Sequence, residues 1–283
     1  MFNGYKIKKS DFEVIKEVLK IIHKKEFKLI FSNLDPILRT TLITFDSKFI
    51  FLITKRILNE VENKGRFIDD YFLYTVPHKI NFENYDYAGW AAGIPEKSKP
   101  FLPKSFLDED FLKFPKIGGS PLGPFMLSHE EILDTDPYST RESYLATIIH
   151  EFGHIYWHQK KLSWFSDKKK NLEYLSTALS LKNLPEIELP VSSAIGEVYA
   201  FCCEYYASQI FWSKHKKNLD KFIATRIKTL IKVEKNTDLN RQDSVLEPST
   251  NPHDFSFVVG KILMTKHPTN WPDFLLAPPR TFF

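Results

Sequence analysis

Apolar residues recur at helical spacing at Phe12, Ile15, Leu19 and Ile22, behind a Ser10-Asp11-Phe12-Glu13 capping box, and predict a helix from 11 to about 26. Leu29 to Phe31 and Thr41 to Phe45 are β-branched or aromatic and predict short strands. Phe49 to about Lys64 reads as a helix stopped by Gly65, and Tyr71 to Val76 as another strand. From 77 to 124 the pattern breaks, with prolines at 77, 95, 100, 103, 115, 121 and 124 and glycines at 89, 93, 118, 119 and 123. That segment predicts irregular structure and a boundary, with an N-terminal mixed α/β part over 1–110 and a second part over 111–283. Phe125 to Ser128 predicts a strand. A second capping box, Ser139-Thr140-Arg141-Glu142, starts a helix from about 140 to 160, and further helices follow at about 170–181, 192–214, 218–235 and 254–265. The expected class is α+β, mainly helical in its second half, with a small sheet.

Composition adds a few limits. A chain of 283 residues, 43% apolar and 26% charged, is long enough to bury a core of ordinary globular type. A net charge of +4 is too small to argue for nucleic acid, and the lysine clusters at 168–170 and 214–217 read as solvated surface. The only cysteines are Cys202 and Cys203, adjacent in sequence, which excludes a disulfide scaffold and fits a reducing compartment. No signal-peptide pattern and no apolar run of membrane-spanning length is present, so the expected location is cytoplasmic.

The chemistry lies in His150-Glu151-Phe152-Gly153-His154. Residues four apart stand one above the other on a helix, so His150 and His154 can present ring nitrogens to one ion about 2 Å away. Glu151 stands beside them, placed to take a proton from a water on that ion. Leu145, Ile148, Ile149, Phe152, Ile155 and Tyr156 form an apolar arc on the other side, which anchors the helix in a core. Gly153, a poor helix former without a side chain, leaves room for another backbone or for the metal shell to come close. Such a site predicts Zn2+, which wants a third protein ligand. His158 continues the series but would stand about 12 Å from His150 along the helix. On the predicted helix that follows, Glu197, Ala200, Glu204 and Ser208 share one stripe. Glu197 and Glu204 lie roughly 10 Å apart, so one binds the ion and the other hydrogen-bonds a ligand imidazole.

His150-Glu151-Phe152-Gly153-His154, followed by Glu197-Val198-Tyr199-Ala200 and Glu204-Tyr205-Tyr206, resembles the gluzincin peptidases. Within them it is most similar to the Mlc titration factor A family and the catalytic domain of anthrax lethal factor. The resemblance covers about 120 to 215. It implies a zincin-like domain over 111–283, His150, His154 and Glu197 as metal ligands, Glu204 in the outer shell, and a peptide or protein substrate. It also implies an extended substrate added to a sheet edge beside the cleft, for which Phe125 to Ser128 is the local strand. One position departs from the pattern. Where the family places a tyrosine seven residues before the ligand Glu, to stabilise the oxyanion, this chain has Pro190. His253, in Asn251-Pro252-His253-Asp254, is the expected replacement donor, since Tyr199 points away from the Glu197 stripe. The expected activity is zinc-dependent endopeptidase. The alternative is a zinc-binding regulatory protein of the same fold with weak or restricted proteolysis.

Overall fold

A computed structural model describes residues 9–46, 48–62, 64–79, 99–104, 116–118, 140–160, 168–179, 191–236, 241–246 and 252–276. The first helix, α1 (Lys9–Ile21), starts and stops earlier than the pattern predicts. The expected strand at 29–31 is absent. A 3-10 turn (Lys25–Lys28) instead delivers Leu29 in helical conformation, with Phe27 and Phe31 stacked in parallel. After the short α2 (Asp35–Leu38) come β1 (Thr41–Phe45), β2 (Phe49–Thr54), β3 (Lys64–Ile68) and β4 (Tyr71–Pro77). β5 (Lys116–Gly118) completes a sheet ordered β3-β4-β2-β1-β5, antiparallel except that β5 runs parallel to β1.

The predicted helix over Phe49 to Lys64 is therefore corrected: Phe49–Thr54 is a strand, residues 55–62 are irregular, and Lys64 opens the next strand. Phe49–Thr54 is a continuous apolar run because β2 is the middle strand and both of its faces are covered. Ile50 and Leu52 join Ile43, Tyr74 and Val76 in a small core on one face. Ile53 joins Leu42 and Tyr71 in the main core on the other. A short buried strand has no alternation to separate it from a helix.

The main core is helical. The central helix α3 (Arg141–Gln159) buries Leu145, Ile149, Phe152 and Tyr156 completely. It packs on α1 and on α5 (Val191–Phe211), while α4 (Lys168–Leu179) contacts the later helix α7 (Pro252–Lys266). The predicted helix 192–214 breaks at Trp212, and α6 (Ser213–Leu230) follows. The expected extension of that helix to 235 is overturned. Ile231–Asn236 forms β6, paired antiparallel with β7 (Arg241–Leu246). After α7 a last short helix, α8 (Trp271–Leu276), sets Trp271 against Tyr199. The molecule is thus α+β and helix-rich, with one five-stranded sheet among the described residues.

Three tyrosines of α3 and α5 reach back to the segment after α1. The Tyr156 hydroxyl bonds the backbone N–H and hydroxyl of Ser32, Tyr199 donates to the Ile30 carbonyl, and Tyr206 donates to the Glu26 carbonyl. A polar cluster joins the later helices. Asp220 of α6 accepts from Tyr205 of α5, from Lys261 of α7 at 2.8 Å and from Lys216 at 2.5 Å. Burial raises the Asp220 pKa, but those three donors overcome it and hold the carboxyl below its usual range.

Candidate metal centre

Thr140 caps α3. Its hydroxyl accepts the Ser143 N–H at 3.1 Å, and the Ser143 hydroxyl returns the bond to the Thr140 N–H at 3.0 Å. The capping box therefore sits one residue later than the sequence predicts, and Glu142 is released from it. Its carboxylate instead accepts the backbone N–H of His215, at the start of α6, at 3.1 Å. A carboxylate satisfies the unpaired N–H groups and favourable dipole of a helix N-terminus, and here it comes from another helix.

The two helices that carry the site touch closely because of Gly153. A Cβ there would lie 2.8 Å from the Ala200 Cα, 3.3 Å from the Cys203 sulfur and 3.4 Å from the Ala200 Cβ. The sequence expectation that Gly153 admits a neighbouring backbone holds, and Ala200 of α5 is that neighbour. Glu197, one turn before Ala200, is carried onto the same face of α3.

There the side chains converge. His150 Nε2 and His154 Nε2 are 3.1 Å apart. His154 Nε2 lies 3.3 Å from Glu197 Oε1, and His150 Nε2 lies 3.6 Å from Glu197 Oε2. His150, His154 and Glu197 are near enough together to bind a metal ion. The spacing fits a small ion. Donors at the corners of a tetrahedron with bonds of 2.0–2.1 Å lie about 3.3 Å apart. Two imidazole nitrogens and a carboxylate aimed at one point also need a proton or a cation between them. His150 is buried, while His154 and Glu197 keep about a fifth of their side-chain surface exposed, which gives the site an open side.

Behind His150 stands Glu204, 1% exposed. Its Oε2 accepts from His150 Nδ1 at 3.1 Å. With Nδ1 carrying that proton, a neutral His150 ring has its lone pair at Nε2, facing His154 and Glu197. Glu204 Oε1 takes a second donor, His215 Nε2, also at 3.1 Å. Burial pushes the Glu204 carboxyl up, yet the two histidines overcome it and hold it at about 2. Burial works against a charged His150, but the Glu197 and Glu204 carboxylates raise its pKa to about 10. Glu151 is half-buried, and its charge also acts on His150.

The structure brings together His150, His154 and Glu197, and sets Glu204 in the outer position. It leaves His158 out, exposed and edge-on to the Trp157 ring. Tyr199 points away, into the core. His253 falls in the first turn of α7, but its side chain lies outside the described residues, as do Pro190 and the expected strand at 125–128. His215 was missed. It sits in the Lys214 to Lys217 cluster read as solvated surface, yet it is fully buried. A signal was present: His215 shares the spacing of Leu219 and Ile223, the buried stripe of α6. No described helix is long and apolar enough to cross a membrane. No family model, curated protein or solved structure matches the chain.

Proposed function

We propose that this chain is a zinc-dependent endopeptidase of gluzincin type, acting on peptide or protein substrates. The observation that carries the reading is the mutual spacing of 3.1–3.6 Å among His150 Nε2, His154 Nε2 and the Glu197 carboxylate. Two imidazoles and one carboxylate are a zinc donor set that leaves a fourth position for water or substrate. The placement of Glu151 next to His150 on the same helix supports a hydrolytic role, since a carboxylate there can serve as base.

Zinc in this position supplies a Lewis acid for the scissile carbonyl and lowers the pKa of water. The chain supplies the rest. His150 and His154 would hold the ion through Nε2, and Glu197 through its carboxylate. Glu151 takes a proton from the attacking water as its oxygen bonds to the carbonyl carbon. It then returns that proton to the amide nitrogen as the C–N bond breaks. Glu204 keeps the His150 ring oriented. His253, at the second position of α7, is the proposed donor to the carbonyl oxygen as it gains charge.

The test is an unbiased peptide-library digest with the purified, zinc-loaded chain and its Glu151→Gln variant. The amide keeps the size of the side chain and cannot accept the proton. Cleavage that is lost in the variant while zinc content is retained supports the reading. Cleavage that persists at the parent rate overturns the role of Glu151. A zinc-loaded parent that cleaves nothing in the library, but binds a protein partner, supports the regulatory alternative.

A further inference from the structure

We infer that His215 is a positioning residue of the metal site, acting on the His150 ligand through Glu204. The inference rests on the metal reading above and adds a residue that lies outside both the histidine motif and the Glu197 helix.

Three observations carry it. First, His215 is fully buried, although its neighbours Lys214 and Lys217 are exposed, so the fold turns this one ring inward. Second, it uses the oxygen of Glu204 that His150 does not: Oε1 faces His215 and Oε2 faces His150, each at 3.1 Å. The last torsion of a glutamate is broad and roughly two-fold, so one donor alone leaves the carboxylate free to swing. A donor on each oxygen fixes its plane, and with it the direction in which His150 Nδ1 must point. Third, the backbone N–H of His215 is held by Glu142 at 3.1 Å. Glu142 lies two turns before His150 on the same helix, α3. The chain of contacts Glu142, His215, Glu204, His150 therefore closes into a ring on the helix that carries both histidine ligands. Movement of α6 relative to α3 is resisted at both ends of that ring. Outer partners of this kind hold the ring orientation and tautomer of a ligand, and losing one typically costs 10–100-fold in metal affinity.

The experiment measures zinc affinity of the full chain by competition with a chelator, in the parent, His215→Asn, His215→Gln and Ile223→Ala. Asn is too short to reach Glu204, whereas Gln carries an amide N–H at about the reach of Nε2. Ile223→Ala removes buried volume from the same helix without touching the ring of contacts. The expected result is a loss of about 10–100-fold for Asn, with Gln and Ile223→Ala both much closer to the parent. A loss for Asn and Gln alike, or an equal loss for Ile223→Ala, would mean that His215 matters only to folding, and the inference falls. An affinity for Asn within twofold of the parent also overturns it. A second measurement needs no variant. Ring nitrogen shifts of the zinc-loaded parent should show His150 protonated at Nδ1 and His215 protonated at Nε2. A His215 without a proton on Nε2 cannot donate to Glu204 and ends the proposal. A parent that takes up no zinc overturns the metal reading and this inference together, whereas a zinc-binding parent with an indifferent His215 removes the inference alone.

Discussion

Gly153→Ala offers a sharp test of how the site is assembled. In an exposed helix interior this change stabilises by about 1 kcal/mol, because alanine loses less backbone entropy. Here the added methyl would stand 2.8 Å from the backbone of Ala200 and 3.3 Å from the Cys203 sulfur. Carbon atoms rest at about 3.5–4.0 Å, so α3 and α5 must separate by roughly 0.7–1.2 Å to admit it. Overpacking of this kind costs about 1–3 kcal/mol. Set against the helical gain, the net effect is destabilisation of roughly 0–2 kcal/mol. The cluster of His150, His154 and Glu197 amplifies it. Glu197 travels with Ala200, and its distances to the two histidines are only 3.3 and 3.6 Å. A shift of nearly 1 Å takes the carboxylate out of bonding range of an ion held by the histidines. Zinc affinity should therefore fall by more than the stability change alone explains. Thermal unfolding of the metal-free protein and chelator competition on the folded protein read the two effects separately. Gly65→Ala is the control, since a Cβ there meets nothing within 4 Å. A Gly153→Ala protein that melts higher than the parent and binds zinc as tightly would show that α3 and α5 do not meet this closely.

Glu197→Ala and Glu204→Ala should separate two roles that the sequence presents as one stripe. The first should lose zinc binding with little change in the melting temperature of the metal-free protein. The second leaves two buried histidines without their acceptor and should cost about 3–5 kcal/mol of stability, with a smaller loss of affinity; equal profiles by calorimetry and chelator competition would contradict the geometry. Asp220→Asn should weaken the fold in a pH-dependent way. Because the folded carboxyl titrates below its unfolded value, its contribution is present above about pH 4 and is lost as pH falls through the lowered value. Urea midpoints of parent and variant should differ at pH 7 and draw together as pH falls through the lowered value, and a gap independent of pH would show that the Tyr205, Lys216 and Lys261 contacts contribute nothing through charge.

The parts of the site that sequence reveals are those fixed within one element. His150 and His154 are four apart on one helix, and the apolar arc from Leu145 to Tyr156 shows which way that helix faces. Glu197 and Glu204 also share a helical stripe, but which of them faces the two histidine Nε2 atoms depends on how α5 crosses α3. That crossing is set by Gly153 against Ala200, a contact between residues 47 positions apart. His215 lies beyond the break at Trp212 and looks like one more polar residue in a lysine cluster. Its burial is a property of the neighbouring helices. The capping box was legible to within one residue, and that residue matters, because it frees Glu142 for α6. Phe49–Thr54 failed for a different reason. A strand covered on both faces loses the alternation by which strands are recognised.

The three tyrosine hydroxyls that reach the segment 26–32 bear on how the chain can be cut. A fragment lacking its first forty residues would keep the entire metal centre in its sequence. It would also strand the phenols of Tyr156 and Tyr199, both fully buried in the intact molecule, without the Ser32 and Ile30 groups they bond. Each such loss costs about 1–3 kcal/mol, and the stacked faces of Phe27 on Phe211 and Phe31 beside Tyr156 would open to water as well. A domain is stable by only about 5–15 kcal/mol in total. Expression of the helical half by itself should therefore yield insoluble or molten material, and limited proteolysis near residue 30 should give aggregation and not a smaller folded fragment.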